Sequence, residues 1–213
     1  MDVFCGFFYI LAPTLPTMIP RLFEYDQFLI DENVQFLKFH NEYKIYNNDG
    51  LLIGSVEQKI AGWQKLLMLF IKKSMMPFYL EILDESGAKV VSLRRGWTFW
   101  MSKITLTDQN DNLIGFLKQQ FKFFKPTFII LNSEENPVAA ITGDWKAWDF
   151  KIVSAEETSI GTINKKWNGV AKELFTNADK YTVSINPEYN EDLNKVIILS
   201  AAITIDMVLK EQQ

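Results

Sequence analysis

Apolar and polar residues alternate with a period of two along most of the chain. Phe78, Leu80 and Ile82 share one parity against Tyr79, Glu81 and Leu83; Trp148, Phe150 and Ile152 stand against Asp149, Lys151 and Val153; Tyr181, Val183 and Ile185 against Thr182 and Ser184. This pattern predicts half-buried strands. Five strand–turn–strand units recur: KIYNNDGLLIGSV, EILDESGAKVVSL, ITLTDQNDNLIGFL, FIILNSEENPVAAIT and FKIVSAEETSIGTI. Asn, Asp and Gly supply the positive-φ positions that tight hairpins need, and Pro137 suits only a strand start that donates no ladder bond. Their spacing is too uneven for a propeller or solenoid. So many successive strands expose their edges unless the sheet closes on itself, so the pattern predicts a mainly β protein built as a barrel.

The C-terminal stretch NEDLNKVIILSAAITIDMVLKEQQ changes period. Asn190 is available as a cap, and Glu191 and Asp192 fall in the first turn, where the helix dipole favours anions. Leu193, Ile197, Ala201 and Val208 mark one side of the predicted helix, about 191–210, while Ile198, Ala202 and Ile205 mark others. A helix apolar on every side must be surrounded by protein. Small Ser200, Ala201 and Ala202 allow a barrel wall to approach it closely, so the helix is expected to fill the barrel.

The apolar run Val196–Leu209 rises only about 21 Å as a helix and is interrupted by Ser200, Thr204 and Asp206, too short to span a bilayer. Residues 1–22 form an apolar N-terminal extension, broken by Pro13, Pro16 and Pro20, with Asp2 where a signal peptide carries basic residues. Residues 23–211 are expected to form one barrel domain. With 22 basic against 26 acidic residues the formal charge is −4, which argues against nucleic acid as a partner. A lone cysteine, Cys5, excludes an intrachain disulfide, and the single His40 leaves no second imidazole for a His-rich zinc site. No phosphate-cradling Gly-rich loop or nucleophile elbow occurs, and the pairs Glu134/Glu135 and Glu156/Glu157 sit in predicted turns. Hence no catalytic residues are assigned and no enzyme chemistry is expected.

The segments FEYDQFLIDENV, NEYKIYNNDGLLIGSVEQ, LEILDESGAKVVSLRR, WDFKI, INKKWNGVAKELFTNADKYTV and ILSAAITIDMVLKE, in that order, resemble the phospholipid scramblase family over roughly Phe23 to Glu211. That family, with the LURP-one-related proteins, is similar to the C-terminal domain of Tubby. The resemblance implies a twelve-stranded antiparallel β-barrel enclosing a hydrophobic C-terminal α-helix, with membrane association and, for some members, calcium-stimulated movement of phospholipids between leaflets. The cysteine clusters and proline-rich N-terminal region of the animal members are missing here. The family's calcium segment matches Asn177 to Asp192. In an EF-hand-like register Asn177, Asp179 and Glu188 take positions one, three and twelve, but Tyr181 and Ile185 occupy five and nine, and Thr182 stands at six. The same residues alternate as a strand followed by an acidic turn, so calcium as a cofactor and a plain strand compete for one stretch of backbone.

In successive antiparallel strands every second connection emerges at the same end. The five hairpin turns hold Asp49, Asp84, Glu85, Asp108, Asp111, Glu134, Glu135, Glu156 and Glu157, which predicts an acidic end. The intervening connections, IAGWQKLLMLFIKKSMMP, RRGWTFWMSK, KQQFKFFKPT, GDWKAWD and KKWNGV, hold all six tryptophans with many Lys and Arg. Tryptophan favours the headgroup boundary, and Lys or Arg near an anionic surface contributes on the order of 1 kcal/mol each. Trp63, Lys72, Lys73, Arg94, Arg95, Trp97, Trp100, Lys122 and Lys125 are therefore the expected lipid-binding residues, with Leu66, Leu67 and Phe70 turned to lipid from an amphipathic turn. Packing of these aromatics over the helix terminus, or a patch for a protein partner, are the competing readings. The expected protein is thus cytoplasmic and peripherally membrane-associated, binding an anionic phospholipid surface and promoting transbilayer phospholipid movement; the alternative is a non-catalytic structural or protein-interaction module of the LURP-one-related type.

Overall fold

The computed structural model describes residues 21–32, 42–67, 70–98, 101–122, 125–144, 147–165, 180–189 and 192–210. Its strands are β1 (Gln27–Glu32), β2 (Glu42–Tyr46), β3 (Leu52–Gln58), β4 (Phe78–Asp84), β5 (Lys89–Arg95), β6 (Lys103–Asp108), β7 (Leu113–Lys122), β8 (Lys125–Asn132), β9 (Pro137–Asp144), β10 (Asp149–Ser154), β11 (Ser159–Asn164) and β12 (Lys180–Ile185). Two helices, α1 (Gly62–Leu67) and α2 (Asp192–Lys210), and two short 3₁₀ turns complete the described elements. Each strand pairs antiparallel with its sequence neighbours, and β1 also pairs with β12, Ile30 opposite Tyr181, which closes the barrel. The expected twelve-stranded closed barrel is what forms, and closure leaves no sheet edge exposed.

The five hairpins share one local design. The first turn residue, Asn47, Asp84, Asp108, Asn132 or Ser154, accepts hydrogen bonds on its side-chain oxygen from the backbone N–H groups two and four residues later. A residue with positive φ follows in each: Gly50, Gly87, Asp111, Glu135 and Glu157. The register then shifts by a bulge, as between Ile45 and Tyr46 or Ile82 and Leu83. This is the three-residue hairpin built on a type I turn with a left-handed residue at the bulge. Asn186 repeats its opening at the exit from β12, accepting from Glu188 N–H on Oδ1 and from Tyr189 N–H on its carbonyl.

Inside the barrel the inward parity of each strand meets α2. Phe28, Ile30, Tyr43, Ile45, Val56, Leu80, Ile82, Leu93, Ile104, Leu106, Leu117, Phe128 and Ile130 are wholly buried, as are Ile197, Leu199, Ala201, Ala202, Ile203 and Ile205 around the helix. Burial on every face is what an all-round apolar helix requires. Close approach depends on Gly115, where a Cβ would lie 2.4 Å from the Leu131 carbonyl and 3.2 Å from Ile197 Cδ1. The helix enters at the hairpin end, where Lys195 Nζ reaches Asp26 Oδ1 at 2.6 Å beside the start of β1. Asp206 lies buried near the Tyr181 phenol, which burial first, and the Asp206 carboxylate second, push well above its ordinary pKa.

Candidate functional site

Antiparallel closure fixes which connections share an end. The acidic turns at residues 47–51, 84–88, 108–112, 132–136 and 154–158 emerge together, and the β3–β4, β5–β6, β7–β8, β9–β10 and β11–β12 connections emerge at the other end. The poles are not fully separate. Lys103, at the start of β6, lies over the Phe116 ring and reaches Glu135 in the β8–β9 turn at 2.9 Å.

At the aromatic end two connections form a single platform. In the β3–β4 connection, Ala61 N–H donates to Gln64 Oε1 at 2.8 Å, a side chain reaching back over the first turn of α1 in the manner of a capping box. The Gln64 amide then donates to the Pro77 carbonyl at 3.0 Å, tying α1 to the entrance of β4. From the β5–β6 connection, Thr98 N–H donates to the Met75 carbonyl at 3.2 Å and Thr98 Oγ1 to the Met101 carbonyl at 2.7 Å. The Trp63 and Trp97 rings meet across the join, centroids 6.4 Å apart and planes inclined by 34°. Both remain half-exposed, with Leu66 and Met101 also open to solvent and Phe70 81% exposed. Other exposed large apolar residues, Tyr25, Leu51, Leu52 and Leu113, sit at the hairpin end, the last three beside the acidic turns.

The two adjacent arginines part company. Arg94 is exposed, its guanidinium carbon 5.4 Å from the centre of the Tyr79 ring. Arg95 is 2% exposed and does not belong to the outer surface. It continues the inward parity of Val91 and Leu93, opposite Phe78 and Ile104. Its Nη2 and Nε donate to the Met76 carbonyl at 2.7 and 3.2 Å, and its guanidinium stands 4.5 Å from the centre of the Phe78 ring. The expectation that Arg95 contacts lipid is corrected on this ground: strand parity sends it under the platform, where it braces the β3–β4 connection. Lys59 in the same connection is neutralised by Glu57 at 2.7 Å and Glu81 at 3.4 Å, and the Glu57 hydrogen bond holds its pKa above the usual value. Lys72 is exposed and, like Arg94, makes no ion pair among the described residues.

The remaining expected lipid contacts are distributed as follows. Lys122 and Lys125 face each other in register at the β7–β8 hairpin, at the same end, their side chains outside the described ones, as is that of Lys73. Trp100, Trp145 and Trp167 lie outside the described residues. Trp148 is turned inward at φ 51°, packed at 5.2 Å on Tyr181 and edge-on to Phe150 at 5.9 Å, with Lys165 Nζ 5.5 Å from its ring centre. Of the calcium-segment residues, Glu188 is exposed in the turn after β12, and Asn177 and Asp179 lie outside the described residues; Tyr181 and Ile185 are buried in β12. Among the described residues no three or more His, Cys, Asp or Glu side chains stand close enough to hold a metal ion.

Parity alone could have placed Arg95. Met101 and the contact between Trp63 and Trp97 carried no local signal, because they depend on two connections folding onto one another.

A closed antiparallel barrel threaded by an apolar helix, with an aromatic and cationic end opposite an acidic one, defines a class of single-helix barrels. The family model described as Scramblase matches residues 7–212, and the chain belongs to that family. It is 25% identical over 226 residues to mouse phospholipid scramblase 1, covering 94% of this chain and 67% of that protein. To human phospholipid scramblase family member 5 it is 22% identical over 218 residues, covering 93% of this chain and 79% of the relative. An X-ray structure of a protein from Arabidopsis thaliana superimposes with a TM-score of 0.51 at 14% identity, covering 89% of this chain and 93% of that one, which shows a shared fold.

Proposed function

We propose that the protein is a scramblase-type phospholipid-binding protein that docks on an anionic bilayer through its aromatic end and promotes movement of phospholipid between leaflets. The observation that carries this reading is the platform itself: Trp63, Leu66, Phe70, Trp97 and Met101 exposed together, with Arg94 and Lys72, exposed cations without an ion pair among the described residues, on the same two connections or the strand leading into them. Exposed apolar groups rimmed by polar ones mark interaction surfaces, and tryptophan with Lys and Arg matches the chemistry of a headgroup boundary. Its relatives named phospholipid scramblases support the same direction.

The barrel rests against the membrane in this reading. Outward positions carry Lys44, Glu57, Glu81, Lys103, Lys118 and Lys151, the reverse of the apolar belt that a lipid-spanning barrel presents. No helix among the described residues is long and apolar enough to cross a bilayer.

Flotation with vesicles of phosphatidylcholine and phosphatidylserine tests docking. Binding should be strong at low salt, fall as salt screens the cations, and fall again in the variant Lys72→Glu/Arg94→Glu. Absence of flotation at low salt rejects the reading and favours a protein-interaction module. Bleaching of fluorescent lipid in the outer leaflet tests transbilayer movement, which is rejected when protein-free vesicles bleach equally. Repeating it with and without calcium tests the segment Asn177–Glu188 as a calcium site.

A further inference from the structure

We infer that the β3–β4 and β5–β6 connections act as one rigid inserting corner, so that the barrel meets an anionic phospholipid bilayer tilted, with Phe70, Leu66, Trp63 and Trp97 in the hydrocarbon boundary and the opposite side of the same end held back. This rests on the phospholipid reading above and adds the geometry of docking to it.

Three observations point to the corner. First, among the described residues of the aromatic end, the exposed large apolar side chains all fall on these two connections. Across the barrel, five strands on, the described part of the β9–β10 connection has Trp148 folded inward on Tyr181 and Phe150 and Ala147 exposed. Second, the two connections are already joined before any lipid arrives. Thr98 N–H on the Met75 carbonyl, the Trp63–Trp97 contact, and buried Arg95 bonded to Met76 with Ser102 Oγ at 3.5 Å hold them as one body. In their described parts insertion therefore orders little new backbone, which is where a flexible loop would lose affinity. Third, the corner carries cations that suit anionic headgroups. Arg94, next to last in β5, and Lys72 in the β3–β4 connection make no ion pair among the described residues, whereas Lys59, where the β3–β4 connection leaves β3, is neutralised by Glu57 and Glu81. Acidic turns at the far end are repelled by the same anionic surface and steer the corner toward it.

The lone cysteine allows a direct test. In a Cys5→Ser background, an environment-sensitive fluorophore is attached at Phe70→Cys, Ala147→Cys or Ser86→Cys, and the full chain is bound to phosphatidylcholine–phosphatidylserine vesicles carrying acyl-chain nitroxide quenchers. The corner predicts several-fold stronger quenching at position 70 than at 147, and none at 86. Equal quenching at 70 and 147 means flat docking and overturns the corner, as does stronger quenching at 147. A second variant, Leu66→Glu/Phe70→Glu, changes only exposed side chains and should weaken flotation about tenfold or more. Unchanged flotation by that variant overturns the corner while the phospholipid reading stands. Failure of every protein to float overturns both.

Discussion

Arg95 reaches from inside the barrel wall to the carbonyl of Met76, nineteen residues earlier in the chain, with both Nε and Nη2. Replacing it with Leu leaves the Met76 carbonyl and the Ser102 hydroxyl without this donor. Charged hydrogen bonds of this kind contribute about 1.5–3 kcal/mol. Arg95→Leu should therefore lower stability in urea unfolding by about 2–3 kcal/mol, whereas Arg94→Gln should stay within about 0.5 kcal/mol of the parent while reducing vesicle binding. Equal stability loss in both variants would contradict the opposite placement of these neighbours.

Lys195 and Asp26 join the helix to the start of β1 across 169 residues of sequence. The Lys195 side chain is nearly enclosed and Asp26 is one-third exposed, so removing one partner strands a largely dehydrated charge. Asp26→Ala should cost about 2–3 kcal/mol, near the lower end of what breaking a buried pair does. The double variant Asp26→Ala/Lys195→Met should recover part of it. Thermal unfolding of the four proteins of this cycle measures the coupling.

Glu157 adopts φ 64° in the β10–β11 turn, a conformation that glycine takes at Gly50 and Gly87 in the equivalent turns. A residue with a Cβ is strained there. Glu157→Gly should raise stability by about 0.5–1 kcal/mol, read as a higher urea midpoint with an unchanged slope. A lower midpoint would show that the carboxylate contributes more than the relieved strain.

Asp84 is held below the usual carboxylate pKa, chiefly by the hydrogen bond from the Ser86 hydroxyl and further by backbone N–H groups of its turn. A folded value depressed below the unfolded one stabilises the protein at pH above the unfolded carboxylate value, roughly 4. That contribution disappears as pH falls through the lower folded value. Ser86→Ala should move the Asp84 titration upward in carboxyl-carbon NMR and make acid unfolding begin at higher pH. An unmoved titration would show that the backbone donors suffice.

Much of this architecture was legible from local pattern. Alternation such as Phe78–Leu80–Ile82 reports a wall with one dry side, and the residues NNDG, DESG and DQND report turns because each side-chain oxygen replaces a backbone partner. The apolar surroundings of Ala201 and Ile205 required enclosure wherever the helix went. What local pattern left open was the division of labour at the aromatic end. Trp148 belonged both to an alternating run and to a connection, and only the closure that brings Tyr181 beside it decided for the core. Arg95 followed Val91 and Leu93 in parity, yet stood in a basic run that looked solvated. Trp63 and Trp97 meet only because β4 and β5 carry their flanking connections side by side, a relationship that no window of sequence contains.

The seam between β1 and β12 has a consequence for biogenesis. A ribosome releases β1 well before β12, and the rod that fills the shell follows β12. Hairpins can zip locally as they emerge, but the wall cannot seal until its two most distant strands meet around that rod, and such long-range pairing is slow. Until then the shell is open along one side, with the β1 and β12 positions Ile30 and Val183, buried in the closed barrel, lacking their partners, and such unpaired edges favour aggregation until α2 and β12 are in place.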